Sequence, residues 1–237
     1  MHKIEIAQDV VERISARRGR LHPFDRIDGP RTALVVIDLQ NAFLLPGMPA
    51  AVKGATDIVP NVNRLAGAVR DAGGTVVWVK MTLDGERERW SVFFDHFGSA
   101  AYSAAEQRSL SRGHPGHELH AALDVRPADL VVEKTRFSAF LQGSSDLDRI
   151  LRATGIDTVI IVGTVTNTCC ESSARDAMML NYKVVFVSDA NAAHTDDEHN
   201  GTLTNILRIF GDVRSTEETV ALLARAAAPA PKTTAEA

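Results

Sequence analysis

The sequence predicts an α/β fold, a three-layer αβα sandwich around a mostly parallel sheet of roughly six strands. Three observations carry this. Two short β-branched runs, RTALVVID at 31–38 and TVIIV at 158–162, are apolar without alternation, the pattern of strands buried on both faces. Segments with apolar residues at helical spacing alternate with such runs along the chain. Glycines and short polar residues punctuate the alternation, as turns and helix ends require.

Taken in order, residues 4–18 place Ile6, Val10 and Ile14 near helical spacing, and Arg17-Arg18-Gly19-Arg20 end the run. Residues 1–30 therefore read as a helical arm outside the sheet pattern, with an apolar stripe that needs a partner. The strand at 31–38 ends in Asp38. Residues 57–72 read as a helix with Val59, Val62, Leu65, Ala66 and Val69 on one face and Gly73-Gly74 as its stop. A strand follows at 75–79. Residues 81–127 show little periodicity but hold Trp90, Phe93, Phe94, Phe97 and Tyr102, the profile of a lid or binding loop. Strands at 129–133, 158–162, 183–188 and from Val213 alternate with helices at 146–154, from Glu171, at 198–210 and at 216–225. The whole reads as one Rossmann-like domain over 31–226, followed by a disordered tail at 227–237.

Composition sets limits on function. The 237 residues are 45% hydrophobic and 24% charged, with a net charge of -4 and no single-sign block, which points to neither nucleic acid nor an anionic membrane surface. No apolar run approaches the ~20 residues that span a bilayer. Two adjacent cysteines make no disulfide framework, and the N-terminus lacks an apolar secretory core; a reducing, cytoplasmic setting is expected.

The chemistry gathers at the carboxyl ends of the strands, where open α/β sheets bind ligands. Asp38 closes the first strand, Lys134 follows the strand at 129–133, and Cys169 follows the strand at 158–162. Gly163 allows a turn, Thr166-Asn167-Thr168 offer capping side chains, and Cys169 and Cys170 then fall in the first turn of a helix. That position favours a thiolate and lowers its pKa. A carboxylate can take the thiol proton and an ammonium can hold the anion. Singly, each residue has a plainer reading: Asp38 a helix cap, Lys134 a solvated lysine, the cysteines apolar filler. The combination points to nucleophilic catalysis.

The pieces VVIDLQNAF, EKTRFSAF and GTVTNTCCESSARDA, in this order and at these spacings, resemble the isochorismatase-like cysteine hydrolase superfamily over about residues 30–215. The last two look most like amidohydrolases acting on ureido and carbamoyl compounds such as ureidoacrylate, biuret and N-carbamoylsarcosine. The resemblance implies an Asp-Lys-Cys triad of Asp38 as base, Lys134 as electrostatic partner and Cys169 as nucleophile. It implies cleavage of a C–N bond in a small linear amide or ureide through a thioester, with water as co-substrate. It also implies an oxyanion hole of the Val165 and Cys169 N–H groups beside a cis Thr164–Val165 peptide, and a homodimer or homotetramer. Cys169 rather than Cys170 matches the family's TxxC pattern, and neighbouring helical residues point roughly 100° apart, so one thiol faces the site.

The sequence also departs from relatives on this fold. Nicotinamidases of the superfamily carry an Asp-x-His metal motif after the second strand; here that stretch is Met81-Thr82-Leu83-Asp84-Gly85-Glu86, so no metal and no cofactor is expected. Isochorismatase itself lacks the cysteine. His114, His117 and His120 are assigned to the lid rather than to zinc. Gln40, Asn41, Phe43, Trp78, Arg136, Phe137 and Asn167 are placed to line the substrate pocket, with Arg136 suited to a substrate carboxylate or ureido oxygen. Two other readings remain open on these residues: hydrolysis of a maleamate-like or aromatic amide, and a silent binding protein on the same fold.

Overall fold

The computed structural model describes residues 1–227. Six strands, β1 (Thr32–Ile37), β2 (Thr75–Met81), β3 (Leu130–Lys134), β4 (Thr158–Thr164), β5 (Lys183–Ala192) and β6 (Asp212–Arg214), form one sheet in the order β3-β2-β1-β4-β5-β6. Every pairing is parallel, so the sheet is wholly rather than mostly parallel. The two apolar runs read from the sequence, β1 and β4, are the adjacent central strands, buried at every residue. The chain winds outward from β1 to β3 on one side and from β4 to β6 on the other. The switch point therefore lies between the carboxyl ends of β1 and β4.

The helices among the described residues are α1 (Gln8–Arg18), α2 (Asn41–Leu44), α3 (Val59–Asp71), α4 (Ser91–His96), α5 (Ala100–Ser109), α6 (Leu147–Ala153), α7 (Glu171–Met179), α8 (Asp196–Asn205) and α9 (Thr216–Ala227). α3 buries Val59, Val62, Leu65, Ala66 and Val69, the face read from the sequence. Burying each such side chain contributes about 1.5–3 kcal/mol, which fixes the helix on the sheet. Most of the expected tail, 228–237, lies outside the described residues, and Ala227 is the last residue of α9.

Two expectations are corrected here. The segment 81–127 is not irregular throughout: it contains α4 and α5. Ser99 accepts from the Tyr102 N–H at 3.2 Å as an N-cap, and AAYSAAEQRS is rich in helix formers. The segment lacks a clean apolar stripe because only one narrow side of α5 meets the core, so periodicity missed it. The N-terminal arm, in turn, finds its partner within the chain. Ile14 is buried, Ile6, Val10 and Val11 pack on the core, and Arg18 donates to the Leu207 carbonyl at 2.7 Å. The apolar stripe thus gives no reason for a second copy.

Candidate active site

Each element end delivers one polar group to the switch point. At the end of β1 the backbone turns at Asp38, which adopts a left-handed conformation (φ +54°), while its N–H still donates to the Val79 carbonyl of β2 at 2.9 Å. Thr164 Oγ1 donates to the Asp38 carbonyl at 3.1 Å and ties the turn to β4. Gly163 lets the two strands close up: at φ +126°, a Cβ there would lie 2.0 Å from the Ile37 carbonyl oxygen. No other residue fits that position.

Lys134, the last residue of β3, is fully buried. Its Nζ lies 2.7 Å from Asp38 Oδ2 and 3.5 Å from Cys169 Sγ, and it donates to the Arg136 carbonyl at 3.1 Å. Its aligned hydrogen bonds go to the Arg136 carbonyl and to two sulfurs, Cys169 Sγ and Met81 Sδ (3.8 Å), while Asp38 is met as an ion pair. Neither Asp38 oxygen has a well-aligned hydrogen bond, so the carboxylate is held by charge and keeps lone pairs free toward the thiol. The sequence placed these three residues at one sheet edge, and the structure brings them into contact. Asp38 does not cap a helix, and Lys134 is not solvated.

The turn bearing the thiols is wider than expected. Residues Thr166–Cys170 form a single π-type turn in which the Cys170 N–H reaches the Val165 carbonyl at 3.2 Å, and α7 begins only at Glu171. Thr166-Asn167-Thr168 supply no side-chain cap at this end. Thr166 Oγ1 instead pairs with His199 Nδ1 at 2.9 Å, and His199 Nε2 reaches the Ser188 carbonyl at 2.9 Å, which fixes the turn to β5 and α8. Cys169 faces the cavity and Cys170 is enclosed in the core. The peptide between Thr164 and Val165 is cis.

Burial dominates the electrostatics. It pushes the Cys169 thiol above its ordinary value, against the pull of the Lys134 ammonium. This corrects the expectation that the helix N-terminus lowers it: burial in a dry site, with the Asp38 charge beside it, outweighs the Lys134 ammonium and the partial charges at the end of a helix. Burial likewise raises the Asp38 carboxyl despite Lys134. For Lys134 burial works against the charge, but Asp38 and Cys169 prevail and the ammonium is held above its usual range. A thiol, a strengthened base and a persistent cation sit together.

Above Cys169 opens a cavity of about 180 Å³. Its walls are largely apolar: Phe43, Met81, Leu83 and Leu110 meet the lid residues Trp90, Phe93 and Tyr102 and the β3–α6 residue Phe137. Trp90 stacks on Phe93 at 4.4 Å between ring centres and meets Phe137 edge-on at 4.8 Å. Of the seven residues expected to line the pocket, Phe43 and Phe137 do so.

The other five are elsewhere. Trp78 is fully buried on β2 and donates to Asp129 Oδ2 at 2.9 Å, near the amino end of β3 and away from the site. Gln40 accepts from the Met81 N–H (2.8 Å) and donates to the Met81 and His117 carbonyls (3.0 Å each). Asn41 donates to the Pro115 carbonyl at 3.0 Å, so both anchor the lid. Asn167 points to solvent. Arg136 is paired with Glu86 at 2.8 Å, donates to the Arg89 carbonyl at 2.9 Å and lies over Trp90, lining an outer groove rather than the cavity. Glu86 was the missed signal: a buried acid in the lid claims the guanidinium first.

Comparison with known proteins agrees with this architecture. Residues 32–218 match the Isochorismatase domain. A cysteine hydrolase from Pseudomonas syringae superposes with a TM-score of 0.78 at 32% identity, covering 87% of this chain and 98% of its own. The ureidoacrylate amidohydrolase of Caulobacter vibrioides is 32% identical over 206 residues, 81% of this chain and 91% of the relative. A probable inactive nicotinamidase of Arabidopsis thaliana is 34% identical over 180 residues, 75% of this chain and 89% of its own. The chain belongs to the isochorismatase family of hydrolases.

Proposed function

We propose that this protein hydrolyses the C–N bond of a small linear amide or ureide, with Cys169 as nucleophile, Asp38 as general acid–base and Lys134 as the fixed cation. The observation that carries the reading is the contact of Lys134 Nζ with both Asp38 and Cys169 at the base of an apolar cavity. The similarity to a ureidoacrylate amidohydrolase supports the substrate class.

In this reading the Cys169 thiol remains protonated until a carbonyl carbon arrives. Asp38 then takes the proton as the C–S bond forms, and Lys134 holds the resulting charge. The tetrahedral oxyanion is met by the N–H groups of Val165 and Cys169, with Val165 in the cavity wall. Collapse breaks the C–N bond, and Asp38 returns its proton to the leaving nitrogen. Water attacks the thioester, Asp38 accepts its proton, the C–S bond breaks and the thiol is restored as the acid product leaves.

The test is release of ammonia or amine from a panel of linear amides and ureides, with Cys169→Ser as the control. Turnover by the native protein that Cys169→Ser abolishes is the expected result. A folded Cys169→Ser protein that turns over at the native rate would overturn the assignment.

A further inference from the structure

The cavity carries one group that the hydrolytic cycle does not use. Glu106 lies on α5 one turn beyond Tyr102 and one turn before Leu110, so the three share a helix face, and all three line the cavity. Two nearby acids of the lid are committed to arginines: Asp84 pairs with Arg112 at 2.9 Å, and Glu86 with Arg89 and Arg136. The Glu106 carboxylate has no such partner among the described residues, and burial alone raises its pKa to about 7.

Positive charge is correspondingly scarce around it. Lys134 lies beneath the floor, fully buried and paired with Asp38, and Arg136 is turned outward to Glu86. Among the described residues no lysine or arginine lines the cavity, and the single histidine of the wall, His194, is exposed. A ligand carboxylate would therefore meet a like charge in a partly dry site, whereas an ammonium would complete an ion pair.

We propose that Glu106 determines the substrate class: the site takes a short amide whose acyl chain lies along the aromatic wall and ends in an ammonium or another N–H donor, and it rejects amides ending in a carboxylate. The proposal rests on the reading of the site as an amide hydrolase. It sets this chain apart from enzymes of acid-ended ureides.

The test uses three amides of matched length, γ-aminobutyramide, valeramide and succinamate, at a pH above about 7, where the free carboxyl is ionised. Native protein should prefer γ-aminobutyramide to succinamate by on the order of a hundredfold in kcat/KM. Glu106→Gln should shrink that ratio to a few-fold, and Glu106→Lys should invert it. The same order should appear in protection of Cys169 from iodoacetamide, which requires binding but no turnover. Protection that follows charge and depends on Glu106, without hydrolysis of any amide, would sustain Glu106 as the group that selects ligand charge and sink the hydrolase reading. Turnover or protection favouring succinamate in the native protein, a preference unchanged by Glu106→Gln, or no protection by γ-aminobutyramide would each overturn it.

Discussion

Lys134 Nζ stands 2.7 Å from Asp38 Oδ2, both fully buried, and the same ammonium reaches Cys169 Sγ at 3.5 Å. Because one cation meets both the carboxylate and the thiol, the proposed mechanism requires the three groups to act as a unit. Asp38→Asn and Lys134→Ala should each lower kcat by about 10²–10⁴, and the double variant should be little worse than either. Single-turnover rates check this, normalised to folded protein, since orphaning one member of a buried pair costs about 3–5 kcal/mol. Losses that multiply would dissolve the unit.

The two cysteines should separate cleanly. Iodoacetamide should label Cys169, which lines the cavity, and leave Cys170, which is enclosed in the core. Cys170→Ala should keep most of the activity and lose stability on the order of 1 kcal/mol through the small void it leaves. Peptide mapping after brief labelling decides it.

Labelling should also report the direction of the thiol shift. Burial raises Cys169, so its alkylation rate should climb with pH through and beyond the ordinary thiol range, with no plateau at neutral pH. A plateau below pH 7 would mean that the helix end and Lys134 win after all. Asp38→Asn should move the climb to lower pH, because the Asp38 charge and hydrogen bond raise the thiol while Lys134 lowers it.

Acid should loosen the turn that carries Cys169. Burial depresses His199 from 6.5 to about 4. Below 6.5 the unfolded chain takes up a proton that folded His199 refuses. Stability is therefore full above 6.5 and is lost as pH falls toward about 4, by on the order of 3 kcal/mol. Thermal melts from neutral to acid pH should show the loss, and His199→Asn should remove most of it. A slope that the variant leaves unchanged would assign it to other groups.

Chelation should leave turnover unaffected. Asp84 and Glu86, the acids where related enzymes carry a metal motif, are already paired with Arg112, Arg89 and Arg136. Exhaustive dialysis against EDTA followed by an activity assay tests this, and lost turnover restored by one added metal would refute it.

The lid aromatics should govern binding more than chemistry. Trp90→Ala removes the stack on Phe93 and the edge-on contact with Phe137, each worth about 0.5–1.5 kcal/mol, and opens the cavity wall. KM should rise about tenfold with a smaller change in kcat in steady-state kinetics.

The sequence by itself determined the six strands, the longer helices outside the lid and the identity of the chemical groups, but not α4 and α5. Short, β-branched, unalternating runs such as 31–38 and 158–162 read as strands covered on both faces, and the α3 stripe leaves one way to bury Val62, Leu65 and Val69. Strand ends in a parallel sheet share an edge, so Asp38, Lys134 and Cys169 followed from chain order alone. Tertiary structure decided what those residues experience. Trp78 and Gln40 sit close in sequence to the site, yet Asp129 and the Met81 backbone claim their polar atoms. Arg136 follows Lys134 by two residues, yet Glu86, fifty positions away, turns it outward. The thiol's pKa rises rather than falls because burial depends on everything packed around Cys169, not on its place in a helix. Local periodicity encodes which way a side chain leaves the backbone; what meets it there is set by long-range packing, which no short window of sequence contains.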